Sequence, residues 1–265
     1  MTATADAAQS VIIHAGAGEG IQHLELNRPT KRNALDVGML RELNDAIHGR
    51  SSAARVVVIS GGAFFCAGAD IAVYAHGNHG QRVELTRAAG QLIDTLSTTP
   101  LPVVVAVEGM ALGGGFELVL AADIVVAGHS TQVGLPEVSL GLIPGWGGTQ
   151  RLAAQVGTRR AKEMIMLQKR IPAEEARVLG LINEVVPDGT SLERALTIAR
   201  QLVASSATAL AATKELTSST ERSLAYDAER ARLTQLFTSA DGVEGVAAFV
   251  EKRPAFFRGR LGTED

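Results

Sequence analysis

Glu117 and Glu137, each beside a glycine-rich turn, are the residues of this chain best suited to acid–base chemistry. The stretch Val103–Val126, VVVAVEGMALGGGFELVLAADIVV, reads as a strand, three glycines, a glutamate three residues past the middle glycine, and a second strand. Gly113-Gly114-Gly115 permits a sharp turn and lets a ligand approach the main chain. Phe116–Ala122 reads as a short buried helix. An amide in its first turn has no intrahelical acceptor and lies at the positive end of the dipole. It can donate to a carbonyl oxygen that gains charge during a reaction. Gly114 and Glu117, at i and i+3, face the same side. Alone, such a turn is weak evidence, and a glutamate in a first helical turn is favoured electrostatically without any function. Phosphate cradling is the usual rival for a glycine-rich turn, but no P-loop pattern exists here and GMALGGG lacks the GxGxxG spacing.

Two further segments have the same character. Arg55–Ser60 is a strand that leads into small residues from Cys66 to Ala69 and then Asp70, a suitable N-cap for a helix starting near Ile71. Two small-residue turns after two strands can supply two amides to one oxygen, a better oxyanion hole than one donor makes. In Val133–Leu152, Pro136 suits the first turn of a helix and Glu137 follows it in an apolar, glycine-rich stretch. A carboxylate there is either a helix-dipole partner or a buried acid with a raised pKa, as general acid catalysis near neutral pH requires.

These residues need elements to hold them. Val11–Ala15 and Gln22–Asn27 read as a paired opening, Asp36–Gly49 as a helix capped by Asp36, and Glu84–Leu96 as a helix with Leu85, Ala88, Ala89, Leu92 and Leu96 in register. Strands are expected at Pro102–Val107 and Asp123–Ala127. After Pro187 the pattern is helical to the end, over Leu192–Ala204, Ala207–Ser218, Ser223–Thr238 and Val243–Lys252. The fold class is therefore α/β, with a core over 11–188, a helical region over 189–265, and residues 1–10 frayed.

Composition narrows the function. The 265 residues carry 46% hydrophobic residues and a net charge of −3 without a basic block, so a nucleic-acid surface is not indicated. No apolar run is long enough to span a bilayer, and Met1–Ser10 has neither the basic nor the apolar part of a signal peptide. The single Cys66 rules out an intrachain disulfide framework, fits a reducing, cytoplasmic compartment, and reads as a small buried residue. His76-Gly-Asn-His79 has metal-ligand spacing but no carboxylate cluster or cysteine nearby, so a mobile loop and no metal are expected.

Together these segments resemble the crotonase, or enoyl-CoA hydratase/isomerase, family over nearly the whole chain. The resemblance runs from Leu26-Asn27-Arg28-Pro29 with Asn33-Ala34-Leu35, through Phe65–Ile71, Pro102–Ala127 and Gly134–Leu152. It continues through Arg159–Glu163 and Ile171–Val186 to FVEKRPAFF at Phe249–Phe257. It implies a spiral of repeated ββα units and C-terminal helices that pack subunits as trimers, or two trimers as a hexamer. It implies that the Ala69 and Gly114 amides hold a thioester oxygen, that Glu117 stands beside the water, and that Glu137 delivers a proton to Cα. The substrate-binding set it implies adds Ala34, Ala67, Asp70, Ile71, Gly113 and Pro136, with Arg28, Lys31 and Arg32 near the nucleotide phosphates. The resemblance further implies that Phe249 and Lys252 help close the nucleotide pocket from a neighbouring subunit; Trp146 stands where many relatives have a small residue, and its bulk shortens the acyl pocket, stacks on a flat acyl group or only fills space. Coenzyme A enters as part of the substrate, with no other cofactor. The reaction implied is syn hydration of a trans-2-enoyl-CoA to the 3-hydroxyacyl-CoA, as in fatty-acid β-oxidation. An isomerase or a carnitinyl-CoA dehydratase-like hydro-lyase is the alternative. RNA binding, known in some relatives, is disfavoured because Ala69–Ala88 holds only Arg82 and Arg87 as basic residues.

Overall fold

The computed structural model describes residues 9–14, 17–217 and 223–256. Residues 1–8 of the expected frayed segment, Ala15, Ser218 and the Phe257 end of FVEKRPAFF lie outside them. The chain opens with a hairpin, β1 (Val11–His14) antiparallel to β2 (Ile21–Leu26), then α1 (Val37–His48), whose N-cap Asp36 accepts from the Met39 amide. Next come β3 (Val56–Ser60), α2 (Ile71–His76) and α3 (His79–Thr98). The loop expected at His76–His79 is instead a helix junction. Asn78 and Gln81 form a reciprocal capping box, so α3 begins at His79 and contains the whole expected helix. Among the described residues no group of three or more potential ligands could hold a metal.

The centre of the chain repeats one unit. β4 (Val103–Val107), β5 (Met110–Leu112) and α4 (Gly114–Ala121) form a ββα turn. β6 (Ile124–Gly128), β7 (Gln132–Gly134) and α5 (Gly148–Val156) form the next. Each unit gives one strand to each of two sheets, a six-stranded sheet ordered β1-β2-β3-β4-β6-β9 and a three-stranded sheet ordered β5-β7-β8. The remaining elements are α6 (Thr158–Met166), β8 (Arg170–Pro172), α7 (Ala173–Val178) and β9 (Glu184–Val186). After them come α8 (Ser191–Val203), α9 (Ala207–Thr217), α10 (Ser223–Leu236) and α11 (Ala240–Val250). This is the ββα spiral with C-terminal helices that the resemblance implied.

Alternation on β3 and β4 explains their unbroken valine runs. Val57, Ile59, Val103 and Val105 face one core with α1, α3 and α4, while Val56, Val58 and Val104 face a second core closed by Ala195 and Ala199 of α8. A strand buried on both faces has no polar side to show. The first helix after residue 188 thus completes the sheet packing. The later helices fold back over the site: α10 packs on α3 and α5, and α11 on α2. Leu233 and Phe237, apolar residues that would suit a subunit contact, are buried within their own chain, whereas Met166, Leu167 and Val178 stay exposed. Among the described residues no single helix is long and apolar enough to cross a membrane; α8 and α9 pass that test only as a pair bent by 111°.

Candidate active site

The two turns are built against each other. Cys66 donates its amide to the Met110 carbonyl, and Leu112 donates to the Cys66 carbonyl, so the 66–69 turn lies along β5. Leu35 donates to Gly68 O and Asp70 donates to Leu35 O, which uses the groups on either side of Ala69 and leaves the Ala69 amide over. Gly113, at φ +51, makes the turn into α4 and donates to Gly134 O; Gly114 is the first helical residue. Among the described residues neither the Ala69 nor the Gly114 amide has an acceptor. A Cβ on Gly68 (φ +108) would lie 2.9 Å from Leu112 O and 3.6 Å from the Gly114 nitrogen, so the turns touch through glycine. Cys66, behind them, has its thiol pushed up to about 12 by burial and is inert.

Both glutamates reach the same cavity of about 260 Å³, lined also by Ala69 and Gly114. Glu117, on α4 and 2% exposed, accepts with Oε1 from the Trp146 and Gly148 amides, each at 2.8 Å. Burial, then the neighbouring Glu137 and Glu229 carboxylates, push its pKa well above the ordinary value against the pull of those two amides. Glu137 opens a 3-10 turn, Glu137–Leu140, with Pro136 at its N-cap instead of inside a helix. The residue as a whole is half-buried, but its Oε2 is enclosed and has no hydrogen-bond partner. Burial raises Glu137 to about 8. The carboxylates press on glycines: a Cβ on Gly113 would stand 2.8 Å from Glu137 Oε1, and one on Gly148 2.7 Å from Glu117 Oε1.

Of the other residues named from sequence, Arg32, Ala67, Ile71, Gly113, Pro136, Trp146 and Phe249 line the cavity. Arg28, Lys31, Ala34, Asp70 and Lys252 do not. Asp70 caps α2 through the Ala72 amide and pairs with Arg28 at 2.9 Å and Lys31 at 3.0 Å. Burial pushes its carboxyl up, but Lys31 and Arg28 outweigh that and hold it below the usual range. Arg28 also binds Asp36 and the Ala34 carbonyl, so its guanidinium is committed inside the chain. Phe249, expected from a neighbouring subunit, lines its own chain's cavity from α11. Trp146 is 1% exposed, and its benzo edge lies on Gly114 so closely that a Cβ there would meet Cζ3 at 2.1 Å.

Of Ile71–Gly80, where the sequence reading expects the acyl tail, Ile71 and Tyr74 line the cavity; Arg170 and Leu233, and Glu229 behind it, were not foreseen. Tyr74 is raised by burial and then by Glu137 and Glu117. Glu229 donates nothing; it accepts from the Gly147 amide at 2.5 Å, from the Thr149 amide at 2.9 Å, and from the Thr149 hydroxyl. Its signal was spacing: Glu229, Leu233 and Phe237 share one helix face, which places an acid on the buried stripe.

Two amides without acceptors and two carboxylates with raised proton affinity thus line one cavity. The chain belongs to the enoyl-CoA hydratase/isomerase family, whose model matches residues 16–260. It is 39% identical over 244 residues to the 2,3-dehydroadipyl-CoA hydratase of Escherichia coli K12, across 89% of this chain and 94% of that one. It is 39% identical over 249 residues to a probable enoyl-CoA hydratase of Rhodobacter capsulatus, across 91% and 96%. The crystal structure of carnitinyl-CoA hydratase from Mycobacterium avium superposes with a TM-score of 0.84 at 32% identity, covering 95% of this chain and 99% of that one. A crotonase-family enzyme of enoyl-CoA hydratase/isomerase type, with an acyl-CoA thioester as its substrate class, follows.

Proposed function

We propose that this enzyme adds water syn to a trans-2-enoyl-CoA, giving the 3-hydroxyacyl-CoA. The observation that carries the reading is the unequal pair of enclosed carboxylates beside two free amides. The thioester oxygen accepts from Ala69 and Gly114, which stabilise the charge it gains as water attacks Cβ. Glu117, anchored through one oxygen by two amides, takes the proton from that water. Burial raises both carboxyls, so the pair keeps a proton near neutral pH; the two amides favour the ionised form at Glu117, and Glu137, whose Oε2 has no hydrogen-bond partner, carries the proton and gives it to Cα. A proton passing from Glu117 to Glu137 resets the site. No group beyond the substrate's own coenzyme A is needed. Of the basic turn at 28–32, Arg32 at the cavity and the half-exposed Lys31, itself paired with Asp70, are the cations open to its phosphates. The lone buried Cys66 supports a reducing, cytoplasmic setting.

The test is consumption of crotonyl-CoA and longer 2-enoyl-CoA thioesters, read by loss of the conjugated thioester's absorbance and by product identification. Glu117→Gln and Glu137→Gln should each lower kcat at least about 10²-fold. Only the second should suppress solvent deuterium entry at Cα if Glu137 is its proton donor. If no 2-enoyl-CoA is consumed while a 3-enoyl-CoA is isomerised, the reaction is isomerisation.

A further inference from the structure

We infer that Glu229 is a positioning residue for the acid–base pair: it clamps the first turn of α5 so that alternate amides of that turn reach Glu117. The kinetic part of this inference rests on the hydratase reading; the geometric part does not.

A helix leaves its first amides without intrahelical acceptors. Around the start of α5 these amides are divided between two acids. Trp146 and Gly148 donate to Glu117, whereas Gly147 and Thr149 donate to Glu229. Glu117 comes from α4 and Glu229 from α10, more than a hundred residues later in the chain, and both are buried. Gly147 sits at φ +102, a conformation that aims its amide away from those of its neighbours and that glycine alone adopts readily. That freedom is also a liability. Without an acceptor opposite Gly147 and Thr149, two buried N–H groups would lose their partners, and the flexible residue between Trp146 and Gly148 could swing to regain one. The two amides that fix Glu117 would move with it.

Burial pushes the Glu229 carboxyl up, but it receives two N–H groups and one hydroxyl, with Arg230 next to it on the helix, all of which favour the ionised, acceptor-only form. Facing it are Glu117 from α4, Glu137 from the 137–140 turn, and Thr149 from α5; Arg230 follows on its own helix and pairs with Asp94 of α3. A third negative charge at this point makes both glutamates of the pair harder to ionise.

Trp146 is the chain's one tryptophan, so its fluorescence reports on this turn directly. Glu229→Ala, Glu229→Gln and Thr149→Val should be compared with the parent. The alanine variant should shift Trp146 emission to the red and lower kcat about tenfold or more, approaching the 10²-fold that a 1 Å misplacement costs, with little change in KM. The glutamine variant, lacking the charge, should move the pH at which the pair ionises down by about one unit. This is read both from the kcat/KM profile and from the pH titration of Trp146 emission without substrate. Thr149→Val, which keeps the charge, should leave that midpoint in place and lower kcat less. If Glu229→Ala does not fold, Glu229→Gln carries the test. Loss of stability alone, with kcat and the midpoint unchanged in Glu229→Gln, overturns the inference. A shifted midpoint in an enzyme that hydrates nothing upholds the inference and removes the hydratase reading.

Discussion

Replacing Gly114 with alanine should be severe because of Trp146, and the same replacement should cost nothing where the indole has been removed. A Cβ at Gly114 would lie 2.1, 2.5 and 2.8 Å from Cζ3, Cε3 and Cη2 of the ring. Carbon atoms in contact rest at about 3.5–4.0 Å, so the indole would have to retreat by roughly 1.5 Å. It has little room. The Trp146 amide is held by Glu117, and the preceding Gly145 is packed so tightly on Leu233 that a Cβ there would meet its Cδ2 at 2.1 Å. Overpacking of this kind costs about 1–3 kcal/mol, and the rigid support puts the expectation at the upper end. With Trp146→Ala the clash vanishes. Alanine at the first residue of α4 then gains up to about 1 kcal/mol of helix propensity over glycine. That gain is the same in both backgrounds and cancels, so the two substitutions should couple by the overpacking itself, about 1–3 kcal/mol, although Trp146→Ala alone costs about 3–5 kcal/mol as a cavity. Denaturant unfolding of the four proteins at one concentration measures this. Additivity within about 0.5 kcal/mol would show that the ring does not rest on Gly114 and would refute the reasoning.

The pH dependence of stability follows from Glu137. Raised to about 8 by burial, it binds its proton in the folded chain over a range where the unfolded carboxyl, near 4.3, has lost it. Its contribution is complete below the unfolded pKa and is lost as pH rises through about 8, at on the order of 1 kcal/mol per pH unit. Unfolding at pH 5 and pH 8.5 should show a fall that is shallower in Glu137→Gln; Glu117, shifted the same way, keeps part of the slope. Trp146→Ala should also move kcat/KM toward longer acyl chains, by about tenfold or more for one that the present cavity of about 260 Å³ rejects. An unchanged chain-length profile would leave the indole only as a brace for Gly114. Finally, light scattering at micromolar concentration should find trimers or paired trimers, assembled through the helices after Pro187, which expose Leu216, Val243 and Phe249; a monomer would exclude this.

Local chemistry was legible in the sequence. The valine runs of β3 and β4, the Asp36 and Asp70 caps, the glycine turn before Glu117 and the four helices after Pro187 are each written in neighbouring residues, because period, capping and turn geometry act over a few positions. So were Glu117 and Glu137, whose motifs stand in family order. The three-residue strands β5, β7 and β8 were not, since so short a run has no period and is held in shape only by its pairing partners. The commitment of Arg28 to Asp70, the placing of a half-exposed Phe249 at the edge of its own chain's cavity and the resting of Trp146 on Gly114 join segments dozens to hundreds of residues apart. The proton affinity of Glu137 belongs to the same class. A carboxyl is raised by the water that its surroundings exclude, and that enclosure exists only once α4, the 137–140 turn, α10 and α11 have closed around one cavity.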